Sequence, residues 1–320
     1  MRPCRSDGTR GFTLIELLIS MALSGIVMSA IYTLFISQSR SYSIQEQVSE
    51  MQQNARVAMD RIVRDVRMAG YGVVDDDEAF VIGNIDYDYN KSDDFQTNND
   101  PHRLNADGIV IRRADGPPID IITHSGKTLS VCSPSNFKAG KILTITAGNN
   151  YQTIEATQIA ETSATPCPSC CASGKCDKIN FSPGQSAYNN PGGLGDGDWK
   201  DGTAALFVET AYFIDVKSDG SPVLKRSING QPAQTLAENI EDLQIAYQLS
   251  GDATWYDTLS PTQQVQDIRS VRINVLARTD KMDPHFSGKR QAIEDHAAGN
   301  ADKYRRRLLT TVINVRNMGL

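Results

Sequence analysis

The sequence predicts an α+β fold: one long N-terminal helix, apolar in its first half and amphipathic in its second, packed on an antiparallel β-sheet domain with long loops. Three observations predict it. An unbroken apolar run begins after Gly11. Apolar residues then recur at spacings of three and four as far as Ala69. Beyond Val73 the chain breaks into short β-branched runs between turns. A chain of 320 residues makes one large domain or two ordinary ones. Charged residues at 22% and hydrophobic residues at 40% exclude global disorder. The net charge is −6, although Arg2, Arg5 and Arg10 outweigh Asp7 at the N-terminus. The remainder is therefore acidic, which argues against broad electrostatic binding to DNA or anionic lipid.

From Phe12 to Ser37 the only side chain carrying charge is Glu16. That stretch exceeds the roughly 20 apolar residues that span a bilayer. The basic flank stays cytoplasmic, so the body from Gln38 onward is expected across the inner membrane, in the periplasm. A secretory signal peptide would have a shorter apolar core and a small-x-small cleavage site; Ser37-Gln38-Ser39 is a poor one. A plain single-span anchor explains everything except Gly11 and Glu16. A carboxylate in a membrane segment is costly and calls for a partner.

The second half of the helix carries Ile44, Val48, Met51, Ala55, Ala58, Ile62, Val66 and Ala69 on one stripe, with polar residues elsewhere. No proline occurs between Gly11 and Gly70, and Gly70 and Gly72 supply a stop. The helix is thus expected to run to about Met68, a length of roughly 85 Å. A coiled-coil stalk would use larger stripe residues over more heptads. Gly25 is the expected soft point of the apolar half.

The stretch "RGFTLIELLIS", Arg10 to Ser20, resembles the leader junction of type IV prepilins and type II secretion pseudopilins. The resemblance implies a pilin-like fold, removal of residues 1–11 by prepilin peptidase between Gly11 and Phe12, and N-methylation of Phe12. It also implies that Glu16, one helical turn on, pairs with the terminal amine of a neighbouring subunit, as an assembly device rather than a catalyst. "DRIVRDVRMAGYG" (Asp60–Gly72), "LAENIEDLQIAYQ", "VRINVLART" and "RRRLLTTVINVRN" resemble the PilW family of minor pilins. The expected organisation is a leader (1–11), a transmembrane half-helix (12–37), an amphipathic half-helix (38–69) and a periplasmic β-rich domain (70–320). The resemblance fades between about 73 and 200, where subunit-specific function is expected.

Within the body, "GIVIRRA", "IDIIT", "KILTIT" and "AALFVETAYFIDV" read as strands, and "KSDGSP" as the hairpin turn before "VLKRSI". "IEDLQIAYQL", "VRINVLA" and "LLTTVINVR" complete the set. In "VRINVLA" Val271, Ile273 and Val275 alternate onto one face.

Four of the six cysteines crowd into "CPSCCASGKC": Cys167, Cys170, Cys171 and Cys176. A thiolate zinc site and disulfides compete. The expected oxidising compartment favours disulfides that include Cys132. Loss of Cys4 with the leader leaves five cysteines and one odd thiol. Asp196, Asp198 and Asp201 alternate in a glycine-rich loop, as calcium loops begin, but no closing Glu follows. An acidic surface turn is the plainer reading, with calcium the alternative. No other cofactor is expected. "KYRRRL" reads as a solvated strand start, so no nucleic acid is expected. His102, His124, His285 and His296 form no recognisable triad or metal spacing, and no nucleotide or hydrolase motif occurs. The expectation is a non-enzymatic minor pilin that primes, caps or tips a type IV pilus with other minor pilins and the major pilin, reaching the cell surface. A J-type minor pseudopilin of type II secretion is the alternative, and an anchored metal-binding or adhesive module is the alternative of another class. No small-molecule substrate is expected.

Overall fold

A computed structural model describes residues 12–72, 80–83, 86–87, 95–96, 106–148, 150–162, 175–182, 184, 189, 193–194, 199, 201–260, 262–315 and 317. The chain divides between Glu50 and Met51 into two compact units. Helix α1, Leu14–Arg67, has 54 residues and contributes to both.

In the first unit α1 is exposed along its apolar side chains; Phe12, Leu14, Met28 and Phe35 are all largely bare. The helix is long and apolar enough to cross a membrane. Gly25 lies within it, and no atom stands near its absent Cβ.

In the second unit the helix is amphipathic as expected. Met51, Ala55, Ala58, Ile62, Val66 and Ala69 are buried, and Met59 and Asp65 join them. The turn after Arg67 docks on the sheet: Gly70 N–H donates to Arg112 O and Ala114 N–H to Tyr71 O. Gly72 has a φ of +67, and a Cβ there would lie 2.6 Å from the Ala114 Cβ. The stop glycine is therefore also a requirement of close packing.

Strands follow in the order β1 Phe80–Gly83, β2 Asp86–Tyr87, β3 Phe95–Gln96, β4 Gly108–Ser125, β5 Thr128–Cys132, β6 Ile142–Ala147, β7 Asn150–Glu155, β8 Gln158–Thr162 and β9 Cys176–Asn180. The second run is β10 Thr203–Val216, β11 Pro222–Ile228, β12 Gln234–Glu238, β13 Ile240–Leu249, β14 Trp255–Tyr256, β15 Ile268–Arg278, β16 Gly288–Lys289, β17 Ala301–Asp302 and β18 Arg306–Asn314. The larger sheet orders β12-β11-β10-β4-β5-β9-β8, with β1, β6 and β7 attached; a second orders β14-β13-β15-β18. Every pairing between the named strands is antiparallel.

Two sequence expectations change. "GIVIRRA" and "IDIIT" form one strand, not two. Prolines 117 and 118 have no N–H to donate to a ladder, and Gly116, at φ 93, and its neighbours bulge out. The register jumps from Leu206↔Asp115 to Ala204↔Ile119 across them. "VRINVLA" does not alternate in burial: Asn274 and Leu276 are buried as well as Val271, Ile273 and Val275. The segment 279–304 is tied to that second face.

Strands β6 and β11 leave the same edge of β10, at 203–206 and 210–216. Asn229 fills the gap between them. Its N–H donates to Glu209 O, its Oδ1 accepts from Glu209 N–H, and its Nδ2 donates to Phe207 O. Below the fork lies an apolar core that includes Leu129, Val131, Leu143, Ile145, Ile154 and Ile179.

Candidate functional site

The N-terminal site begins at Phe12, which is 80% exposed; Gly11 lies outside the described residues. Helix α1 opens at Leu14, so Thr13 is its N-cap and Glu16 its third residue. Glu16 N–H donates to Thr13 Oγ1 at 3.3 Å, and Glu16 Oε2 accepts from the Thr13 hydroxyl at 3.4 Å and its N–H at 3.5 Å. This is a capping box. Thr-x-x-Glu before an apolar run signals it in sequence, a role for Glu16 beyond the expected intersubunit one. A carboxylate in the first turn also favours the positive end of the helix dipole. These contacts are long, and the Glu16 carboxylate is exposed. It keeps acceptor capacity for a cation brought by another molecule.

The cysteine candidates divide. Cys132 and Cys176 stand opposite one another in β5 and β9, and both are disulfide-bonded. Cys167, Cys170 and Cys171 lie outside the described residues, as do Asp196 and Asp198 of the calcium candidate. Asp201 is exposed with a φ of 62. Among the described residues no group of three or more His, Cys, Asp or Glu side chains is placed to hold a metal ion.

The body gathers buried charges that the sequence did not announce. Tyr212 OH donates to Asp65 Oδ2 at 2.5 Å, with Arg61 and Arg226 3.6 and 3.7 Å from that oxygen. Burial and the adjacent carboxylate push the Tyr212 phenol up. Asp107 N–H donates to Leu243 O, while its carboxylate accepts from Ile245 N–H at 2.8 Å. Burial raises its pKa to about 7, outweighing that hydrogen bond and aided by Asp295, Asp242 and Asp257. Asp242, fully buried, accepts from Arg290 Nη1 at 3.0 Å and Gln244 Nε2 at 3.0 Å, with His296 Nδ1 at 2.7 Å. Nearby, Glu294 meets both Arg272 and Asn274 at 2.7 Å. These contacts pin segment 279–304 to β13 and β15. Asp242 and Glu294 each meet three nitrogen atoms there.

"KYRRRL" starts a strand as expected, with Lys303 and Arg307 exposed, but Arg305 and Arg306 are not free in solvent. Arg306 forks onto Glu241 and Asp302, and Arg305 pairs with Asp283 at 2.9 Å and stacks on Phe286. Desolvation and these carboxylates act in opposite senses on Arg306, and the carboxylates hold its pKa above the ordinary value. Its acid partners lie 4 and 65 residues away, and the distant one was beyond a local reading. A cleft of about 420 Å³ opens at the β6/β11 fork, with Lys141, Glu155 and Arg226 on its walls.

Residues 211–317 match the family model described as Type IV Pilus-assembly protein W. Residues 7–32 match the Prokaryotic N-terminal methylation motif. Neither a curated protein nor a solved structure matches the chain. The first match takes in the second sheet and the β10–β11 hairpin; the second takes in the Gly11-Phe12 junction and Glu16.

Proposed function

We propose that this chain, a PilW-type prepilin-like protein by its two family matches, works as a minor pilin. In this reading prepilin peptidase cuts between Gly11 and Phe12, and Phe12 is N-methylated. Residues 12–37 hold the product in the inner membrane with its body in the periplasm. There it joins other minor pilins and the major pilin to prime or cap a type IV pilus, and goes with it to the cell surface.

One observation carries the proposal: a carboxylate four residues beyond the junction, on an exposed apolar helix, held among the described residues by its own cap. Its charge costs free energy in lipid until a cation meets it. Cleavage before Phe12 creates an amine at the same depth on every subunit, so one subunit's amine can satisfy its neighbour's Glu16. That makes burial of the charge a driving force for assembly. Catalysis plays no part in this reading, and neither do nucleic acid or a small-molecule substrate. The acidic loop at Asp201 serves as a surface turn, and the cysteine-rich loop as a disulfide staple.

Mass spectrometry of the chain from cells should find N-methyl-Phe12 at the terminus; an intact Met1 in a peptidase-competent cell would sink the proposal. Glu16→Ala should be processed normally yet fail to assemble. Deletion should abolish surface pili; loss of secretion with normal pili would assign the chain to a pseudopilin role instead.

A further inference from the structure

The second sheet ends on β18, whose far edge no strand pairs among the described residues. A free strand edge is a row of unpaired N–H and C=O groups, and proteins normally blunt one by shortness, Pro, charged side chains (Lys above all) or a bulge. The other edges obey this rule. β12 and β8 have five residues each, β7 six and β14 two, and the β11–β12 register breaks at Leu224/Lys225. β18 has nine residues without Pro or Lys, its charges are confined to Arg306 and Arg307 at one end, and its register with β15 is unbroken from Arg278↔Arg306 to Ser270↔Asn314.

Its sequence, RRLLTTVIN, also suits its own antiparallel image. A full nine-residue overlap centres on Thr310. It sets Thr310 against Thr310, Leu309 against Thr311, Leu308 against Val312, Arg307 against Ile313 and Arg306 against Asn314. No like charges meet, since the arginines of the two copies fall at opposite ends. Thr–Thr and apolar cross-strand pairs are favourable. Val312, 52% exposed on β18, would lie against Leu308.

From this we propose that β18 is a self-pairing edge: two copies of this chain join antiparallel along their β18 strands, centred on Thr310. The contact is isologous, so it closes at two copies. It does not depend on which machine the chain serves.

The test is disulfide trapping of the full chain in its native membrane under mild oxidation, with the wild type setting the background from native cysteines. Thr310→Cys should shift most of the chain to a homodimer, because directly opposed Cβ atoms lie about 5 Å apart. Arg307→Cys should not, since six residues of strand hold the two thiols about 20 Å apart. Thr310 Oγ1 donates to Asn274 Oδ1 at 2.8 Å, so a second probe leaves that bond intact. Leu308→Cys and Val312→Cys chains should cross-link when co-expressed and not when expressed alone. Adding Val312→Lys should abolish the Thr310→Cys dimer. Thr310→Cys at wild-type background, equal trapping of Arg307→Cys, or trapping of Thr310→Cys to a different polypeptide each overturns the proposal.

Discussion

Glu16 has two roles that substitutions separate. Within one chain it completes a capping box with Thr13; between chains it offers a carboxylate. Thr13→Val removes the cap, a local cost of about 1 kcal/mol. It should leave assembly close to wild type, whereas Glu16→Gln should fail. Equal failure of both in a piliation assay would make Glu16 a helix cap only. Asp107 makes a second prediction at this scale. Its carboxyl titrates near 7 in the fold against an ordinary 3.8. Between those values the fold binds more protons than the unfolded chain, so this group's contribution to stability is lost as pH rises through that window. In urea melts of the body (residues 40–320), wild type should lose about 3 kcal/mol relative to Asp107→Asn from about pH 4 to about pH 7. Parallel pH profiles would refute it. Tyr212→Phe should cost about 1–3 kcal/mol by removing the hydrogen bond to the buried Asp65 carboxylate.

Helix α1 shows why its stripe uses small residues. Ala55 and Ala58 are fully buried, and the turn beyond places Gly72 against Ala114. Larger side chains would hold the helix away from the sheet. Ala58→Leu should therefore destabilise the body by about 1–3 kcal/mol through overpacking, measured by thermal melting; a neutral result would mean the groove has slack. The stripe was legible because helical periodicity is local. Asp65 on the same buried face was not, because its partners Tyr212 and Arg226 come from β10 and β11. The 18-residue β4 was misread as two strands for a related reason. Gly-Pro-Pro breaks a strand by propensity, yet β10 runs past it and pairs on both sides.

Across the whole chain, Asp107 links the larger sheet to the smaller one, since β4 starts at the next residue and its own N–H and carboxylate bond to β13. The cysteines act at this scale too. If the body is oxidised in the periplasm, Cys132 and Cys176 should resist alkylation until reduced, and reduction should lower the melting temperature. Losing a native disulfide typically costs 2–5 kcal/mol. Free thiols at both positions in chain isolated from cells would place the body in a reducing compartment. The sequence by itself determined the apolar helix, its charge at Glu16, the amphipathic stripe and most C-terminal strands. Each of these depends on spacing along the chain, where helical and strand periods are written directly. Only the tertiary structure decided which charges are buried, which prolines bulge out of a strand and which strand, among the described residues, is left with an unpaired edge. Those depend on partners tens to hundreds of residues away, whose approach no local period encodes.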